Sequence, residues 1–448
     1  MNNLIKKLSI LFIVFFLSLT SQSKQSNQTY SFPDSTYYLK NIIIHGNINT
    51  LPFVITRELT FNIDSLITYS DLTYNSERIY SLGIFTKVEL TVEPFDSLQN
   101  NSVADIHIKV VERLSYIIYP IIGTRDRDAS KLFYGVGFAH INFRGRKEYL
   151  SFELIRGVDP TILIFHNNPI LNLEHNIFGN FKMLIEERTN RSVIINADSL
   201  SFNTKLLSAT LGKRYSVFTR LSLNLEWKQI KLNYEVPNVV TSPYFKDNIF
   251  TTMLEYNYDS RDLIEYPSTG TFQRFQIYNH FNPDVVYAYQ RFFIDTRFYK
   301  PIFGKTVLTS RFLANIAQQK FIPLYDHVYF GYQDRLQGHY YKVLEGEHLI
   351  SSAFELHIPI IEPTYIHLEE IPFDEFKDFR FATNFALFAN SSTTWWNNDN
   401  LSKLPFYSGY GFGFHFLLPY SMVFKLEYAF GNHGMNKGEF LWDIGASF

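Results

Sequence analysis

The sequence predicts a mostly β protein: a 16-stranded antiparallel transmembrane β-barrel preceded by one small β-α-α-β-β domain. Three observations predict it. The N-terminus is built like an export signal. Aromatic residues make up 17% of the chain, with Tyr 30 and Phe 44. From Ser115 to Phe448, apolar and polar residues alternate in about sixteen segments with no convincing long helix between them.

Residues 1–23 carry the export signal. Lys6 and Lys7 form a positive start, Leu8 to Leu19 an apolar run, and Ser21-Gln22-Ser23 a small-x-small cleavage site. The run is too short for a spanning helix, which needs about 20 apolar residues. No comparable run follows, so a membrane-embedded form must be a barrel.

Residues 24–36 are rich in Ser, Gln and Asn and read as a flexible lead-in. Residues 37–113 read as the small domain. Tyr38 to His45 is a strand ended by Gly46-Asn47. Phe53 to Leu59 forms a short helix with Pro52 near its first turn. Ser70 or Asp71 caps a second helix, striped by Leu72, Ile79 and Leu82 and stopped by Gly83. Two alternating strands follow, with Val88, Leu90 and Val92 on one face of the first and Ile106, Ile108 and Val110 on one face of the second.

The barrel region is 115–448. Its segments start near Ser115, Leu132, Lys147, Thr161, Asn180, Phe202, Thr219, Ile249, Thr271, Tyr287, Lys305, His348, Asp378, Gly409, Met422 and Gly438, with the fourth the weakest. That is roughly 21 residues per strand and turn, a sensible barrel period. Leu221, Leu223, Leu225 and Trp227 oppose Ser222, Asn224, Glu226 and Lys228, and the chain ends on Trp442, Ile444 and Phe448 along one face. Alternation alone fits a soluble sandwich as well as a barrel. The export signal, the aromatic load and the terminal aromatic favour the barrel, whose girdles need such residues.

Composition excludes several functions. Lys+Arg 41 balance Asp+Glu 43, so there is no basic face for nucleic acid. Cys 0 rules out disulfides, thiolate metal sites, thiol nucleophiles and N-terminal cysteine lipidation. There is no nucleophile elbow, phosphate loop or His-Glu-x-x-His. The 13 histidines are scattered, and His339, His348 and His357 lack helical metal spacing. The acidic run His367 to Phe376 reads as a solvated charge run, and Phe143 to Lys147 as a basic turn. No enzyme, cofactor or metal is expected.

Several motifs carry a family resemblance. "NIIIHGN" (Asn41 to Asn47), "VITREL" (Val54 to Leu59) and "LGIFTKVELTVEP" (Leu82 to Pro94) resemble a POTRA domain. The rest resembles the barrel of the BamA/TamA superfamily, the bacterial surface antigen family. "YDSRDLIEYPSTGTF" (Tyr258 to Phe272) is similar to its Asp-x-Arg-Asp…Pro-x-x-Gly motif at Asp259, Arg261, Asp262, Pro267 and Gly270. A loop of unusual length, Gln319 to Glu347, holds "DRLQGHYY", similar to the family loop that folds back into the lumen; Arg335, Gln337, Gly338 and His339 stand at its motif. "FELHIPI", "FALFANSS", "GYGFGFHFLLP" and "KLEYA" then resemble the last family strands in order.

Two departures are complementary. Gln337 stands where the family has arginine, and Asn390 where it usually has aspartate. The resemblance implies that these groups meet inside the lumen, with a glutamate, here Glu355, as a second partner. Losing either charge alone would strand the other, which is costly where buried. Losing both leaves two amides able to exchange hydrogen bonds. The expected contact is therefore a neutral latch between loop and wall; anchoring by Arg335 is the alternative.

The resemblance implies a factor that inserts or folds outer-membrane proteins, or translocates a polypeptide across that membrane. Its partners would be outer-membrane lipid, unfolded outer-membrane or secreted polypeptides, and periplasmic or lipoprotein accessories. Clients would add a strand at the edge around Val88, Leu90 and Val92, or at a seam between Ser115–Gly123 and Gly438–Phe448. The competing reading is a passive pore or structural surface barrel, favoured by the altered loop motif. The barrel would sit in the outer membrane with the small domain in the periplasm.

Overall fold

The computed structural model describes residues 36–94, 103–125, 128, 130–195, 197, 199–332, 336–339, 342–367, 377–432 and 438–445. The export signal, the lead-in up to Ser35, Arg335, Phe448 and the acidic run from Leu368 to Phe376 lie outside these residues.

The N-terminal domain comprises β1 (Tyr37–His45), α1 (Pro52–Thr56), β2 (Leu66–Ile67), α2 (Tyr69–Tyr80), β3 (Phe85–Pro94) and β4 (Val103–Glu112). Its sheet runs β2-β1-β4-β3, with β1 parallel to β4. Leu39, Ile55, Ile67, Ile79, Ile106 and Ile108 form a fully buried core. Three details depart from the sequence reading. The first helix is shorter, a two-residue strand β2 precedes α2, and α2 is capped two or three residues before Ser70 or Asp71. Its cap is Thr68, whose hydroxyl accepts from Asp71 N while the Asp71 carboxylate accepts from Thr68 N. This reciprocal capping box satisfies two helix-end donors, which Ser70 or Asp71 as cap would not. Gly83 does end the helix, with φ +69° and its N–H on Tyr80 O.

The second unit is one antiparallel sheet. Its strands are β5 (Tyr116–Thr124), β6 (Leu132–Phe143), β7 (Glu148–Gly157), β8 (Thr161–Asn172), β9 (Ile177–Thr189), β10 (Ser201–Arg214), β11 (Thr219–Leu232), β12 (Lys246–Asp259), β13 (Gly270–Asn282), β14 (Tyr287–Phe303), β15 (Thr306–Gln318), β18 (His348–His367), β19 (Asp378–Trp395), β20 (Tyr407–Leu418), β21 (Met422–Gly431) and β22 (Glu439–Gly445). A two-stranded ribbon, β16 (Val328–Phe330) with β17 (Leu344–Gly346), lies in the loop after β15. The sheet has 16 strands, each paired with its sequence neighbours, and β5 and β22 stand at its two ends. Every expected segment start falls within three residues of a strand, the weak fourth included.

Burial is inverted relative to a soluble sandwich. Ser222 and Asn224 are buried on β11, while Leu223 and Leu225 between and after them are exposed. Phe440, Trp442 and Ile444 on β22 are exposed, whereas Asp295, Glu355, His357, His415 and Glu427 are buried. A sandwich would bury the apolar rows and wet the polar ones. Here the apolar rows face outward, as a lipid-facing surface requires. Among the described residues no helix is long and apolar enough to cross a membrane, which says nothing of a β-barrel.

Candidate functional site

Two inward features meet the inner face of the sheet. The first is the hairpin after β12. Asp259 and Arg261 form an ion pair at 2.8 Å, and the Arg261 guanidinium lies 4.6 Å from the centre of the Phe272 ring. Asp262 accepts from the backbone N–H groups of Leu263 (2.8 Å) and Ser268 (2.9 Å), and from the Ser268 hydroxyl. Burial raises the pKa of Asp262 above the ordinary carboxylate value, and these donors only partly offset it. Gly270 has φ +104°, and a β-carbon there would overlap Ser260 O. Thus Asp259, Arg261, Asp262 and Gly270 fold the hairpin tightly, and Pro267 lies in the bend between them. The fold carries Tyr266 inward until its hydroxyl is 3.1 Å from His415 Nδ1.

The second feature is the loop after β15, whose tip rests on the wall made by β19, β20 and β21. Asn390 Nδ2 donates to Gln337 Oε1 at 2.7 Å, and Gln337 Nε2 donates to Glu427 Oε2 at 2.9 Å. His339 is buried, and its Nε2–H is shared between Ser408 O at 3.1 Å and Asn432 Oδ1 at 2.9 Å. Gly338 has φ +81° and lies against Phe430 O. Where the backbone of the tip comes closest, the wall presents glycine. A β-carbon on Gly409 would overlap Gln337 O, and one on Gly431 would overlap Gly338 O. Leu336 is buried among Leu313, Val328, Phe330, Leu344 and Leu349. Further back, Glu345 accepts from Val193 N at 2.7 Å and Ser192 Oγ at 2.9 Å, tying the loop to the β9–β10 connection.

One expected contact is corrected. Glu355 does not meet the loop tip; its Oε2 lies 2.8 Å from His357 Nε2. Register explains this. Ala353, not Glu355, is the β18 partner of Asn390, so Glu355 lies one inward position further down the strand. Glu427 takes the place expected of it. Period-two alternation along β21 puts Lys425 and Glu427 on its inner face, but nothing in the sequence shows that β21 reaches the loop. The spacing Gly409, Gly411, Gly413 on one face was a readable signal of close backbone approach.

The N-terminal domain seats on the hairpin end of the sheet. Glu58 is buried and accepts from Arg214 Nη1 at 2.7 Å and Nη2 at 2.9 Å, and from Arg78 at 3.2 Å. Burial alone would raise the Glu58 pKa; the Arg214 charge and hydrogen bonds, with help from Arg220 and Arg78, bring it below the ordinary value. Arg78 also donates to Arg261 O at 3.2 Å, Tyr74 to Ser260 O at 2.8 Å, and Arg380 of β19 to Glu77 Oε1 at 2.8 Å. The Arg-Glu pair that marked the POTRA-like motif is therefore a docking element. On β3, Val88 is buried and Leu90 and Val92 pack on the domain core. β4 pairs one side of β3; on the other side the Val88 carbonyl accepts from Ser76 Oγ at 3.1 Å, and Lys87 lies over the Tyr365 ring of β18.

Comparison with known proteins follows the same division. Residues 37–113 match the POTRA model, surface antigen variable number repeat. No curated protein matches. Among solved structures, BamA from Haemophilus ducreyi lacking POTRA domains 1–3 is similar with TM-score 0.55 and 16% identity, over 92% of this chain and 85% of that one. CdiB from Escherichia coli is similar with TM-score 0.53 and 7% identity, over 96% and 93%. At these identities the likeness is one of fold. Residues 142–448, well over half of the chain, match the Omp85 superfamily domain, and the protein belongs to that superfamily.

Proposed function

We propose that the protein is an outer-membrane assembly factor, inserting other outer-membrane proteins or translocating a polypeptide in the manner of BamA- and CdiB-type relatives. In this reading β5 and β22 close the sheet into a barrel, residues 37–113 lie in the periplasm, and residues 1–23 direct export. The observation that carries it is the pair of sheet ends. Each of β5 and β22 has one hydrogen-bonded neighbour among the described residues, and both present large exposed side chains: Tyr116, Ile118 and Ile122 on one, Phe440, Trp442 and Ile444 on the other. Unpaired backbone at such a seam can template an incoming strand. The outer side of β3 around Val88, Leu90 and Val92 is a second candidate edge for an extended client, which would have to displace Ser76 from the Val88 carbonyl.

The proteome of the outer membrane after conditional depletion tests this. Loss of many unrelated barrels supports general assembly; loss of one protein supports a dedicated translocator; no loss overturns the reading. Because the chain has Cys 0, paired cysteines at Ile118 or Ile122 and at Trp442 or Ile444 can lock the seam without background. A locked seam should abolish activity, and a reductant should restore it.

The neutral contact between Gln337 and Asn390 favours a second reading, a passive pore with a loosely held loop. Steady conductance in planar bilayers, without client effects, would favour that reading; low and gated conductance would favour assembly.

A further inference from the structure

Glu355 and His357 are two residues apart on β18 and so share its inner face. His415 joins them from β20. All three are buried, and one ligand atom from each lies within 4.8 Å of the others. Glu427 of β21 adds a second carboxylate, its Oε1 3.1 Å from His415 Nε2. Tyr266 covers the group, its ring stacked on His357 at 4.4 Å. One atom of the group is left over: His357 Nδ1 is buried and has no hydrogen-bond partner among the described residues. With Nε2–H donated to Glu355, Nδ1 holds an uncommitted lone pair inside the protein. Such an atom is costly to bury, and neutral imidazole is the commonest metal ligand.

We propose that Glu355, His357 and His415 form a divalent metal site, with Glu427 as a further ligand, and that zinc is the ion it fits. Two imidazoles and one or two carboxylates are the ligand types of tetrahedral zinc sites. Magnesium and calcium prefer more oxygen ligands than this pocket offers. A tetrahedral ion with bonds of about 2.0–2.1 Å separates its ligands by about 3.3 Å, so the side chains need shift only slightly to take it. Each imidazole binds through a nitrogen that carries no proton: His357 through Nδ1 as it stands, or through Nε2 with its proton moved to Nδ1, and His415 through Nε2 with its proton moved to Nδ1, where it donates to Tyr266. The charge balance allows it. Lys425, on the same face of β21 as Glu427, is the one cation among these groups, against two carboxylates. A cavity of about 840 Å³, lined by Tyr266, His357, Arg380 and Asn384, leads to the site and provides entry.

Glu427 couples this site to the loop. Its Oε1 meets His415 while its Oε2 accepts from Gln337. Metal at the site therefore fixes the carboxylate on which the loop tip rests, and joins β18, β20, β21 and the hairpin after β12 in one cluster.

The test uses the full chain in detergent, stripped with EDTA and titrated with zinc chloride by calorimetry, with metal content measured after dialysis. One zinc per chain is expected, undiminished by excess magnesium, and cobalt should give the intense visible bands of a tetrahedral ion. His357→Ala and His415→Ala should remove the binding, and Glu355→Gln should weaken it about 10–100-fold. The exposed pair His45 and His107, whose ring nitrogens lie 3.0 Å apart, is the competing site; His45→Ala/His107→Ala should leave the stoichiometry unchanged. No zinc bound by the stripped wild type overturns the proposal. So does zinc that follows His45 and His107 instead of His357 and His415. Should an alanine variant lose the heat-dependent gel shift of a folded barrel, Glu355→Gln and the wild-type cobalt spectrum decide.

Discussion

Asn390 donates to Gln337 across 2.7 Å, and Gln337 in turn donates to Glu427 across 2.9 Å. The loop is thus held by a chain of one amide, a second amide and one carboxylate. The chain has a direction, because Glu427 can only accept while it is ionised. A carboxylate at 337 would face Glu427 with like charge, whereas alanine merely removes two bonds. Gln337→Glu should therefore free the loop more than Gln337→Ala, read as the rate of protease cleavage within residues 319–347. Equal cleavage of the two variants at neutral pH would sink this account.

The glycine wall gives an independent test. Gly409→Ala puts a methyl into the Gln337 carbonyl, and Gly431→Ala one into the Gly338 carbonyl. Backbone cannot step aside as a flexible side chain can. Overpacking of this kind costs about 1–3 kcal/mol, so loop cleavage or amide exchange in the loop should rise about tenfold or more. Gly445→Ala, with open space around it, is the control and should change nothing.

Docking of the N-terminal domain should depend on pH. The pKa of Glu58 is depressed in the docked state, so its contribution is complete above the ordinary carboxylate range and is lost as pH falls through the depressed value. Spin labels on the domain and on the turn beside Gly145 should move apart on acidification. Glu58→Ala should separate them at neutral pH, since breaking a buried pair costs about 3–5 kcal/mol. Unchanged distances in both experiments would show that Glu77–Arg380 and the backbone contacts suffice.

The hairpin after β12 should fail at Gly270. An alanine there must adopt φ near +104° and clash with Ser260 O. Positive φ for an L residue costs of order 1–3 kcal/mol before the clash is counted. Gly270→Ala should lower the unfolding temperature and disturb the Tyr266–His415 contact, visible as altered tyrosine fluorescence. A variant with wild-type stability and fluorescence would mean the hairpin can fold another way.

Strand number and strand position were legible in the chain because a strand with one lipid-facing and one inward face must alternate with period two, and that pattern is local. Leu221 to Lys228 or Phe424 to Glu427 announce their faces without any partner. The helix stop at Gly83 and the turn at Gly270 were legible for the same reason, since the constraint lies in one residue's backbone. The pairing of Gln337 with Asn390 could be anticipated because two departures from a motif compensated each other. What the sequence did not contain was distance across the sheet. Whether Glu355 or Glu427 meets the loop depends on strand register and on how deep the loop reaches, and both emerge only when sixteen strands are assembled. The same holds for His357 and His415, separated by a whole strand and useless as a pattern until β18 and β20 lie one strand apart. Glu58 looked like part of a helix motif; only the seating of one domain on another made it the partner of Arg214. Periodicity decides which face a residue occupies, and tertiary structure alone decides what stands opposite it.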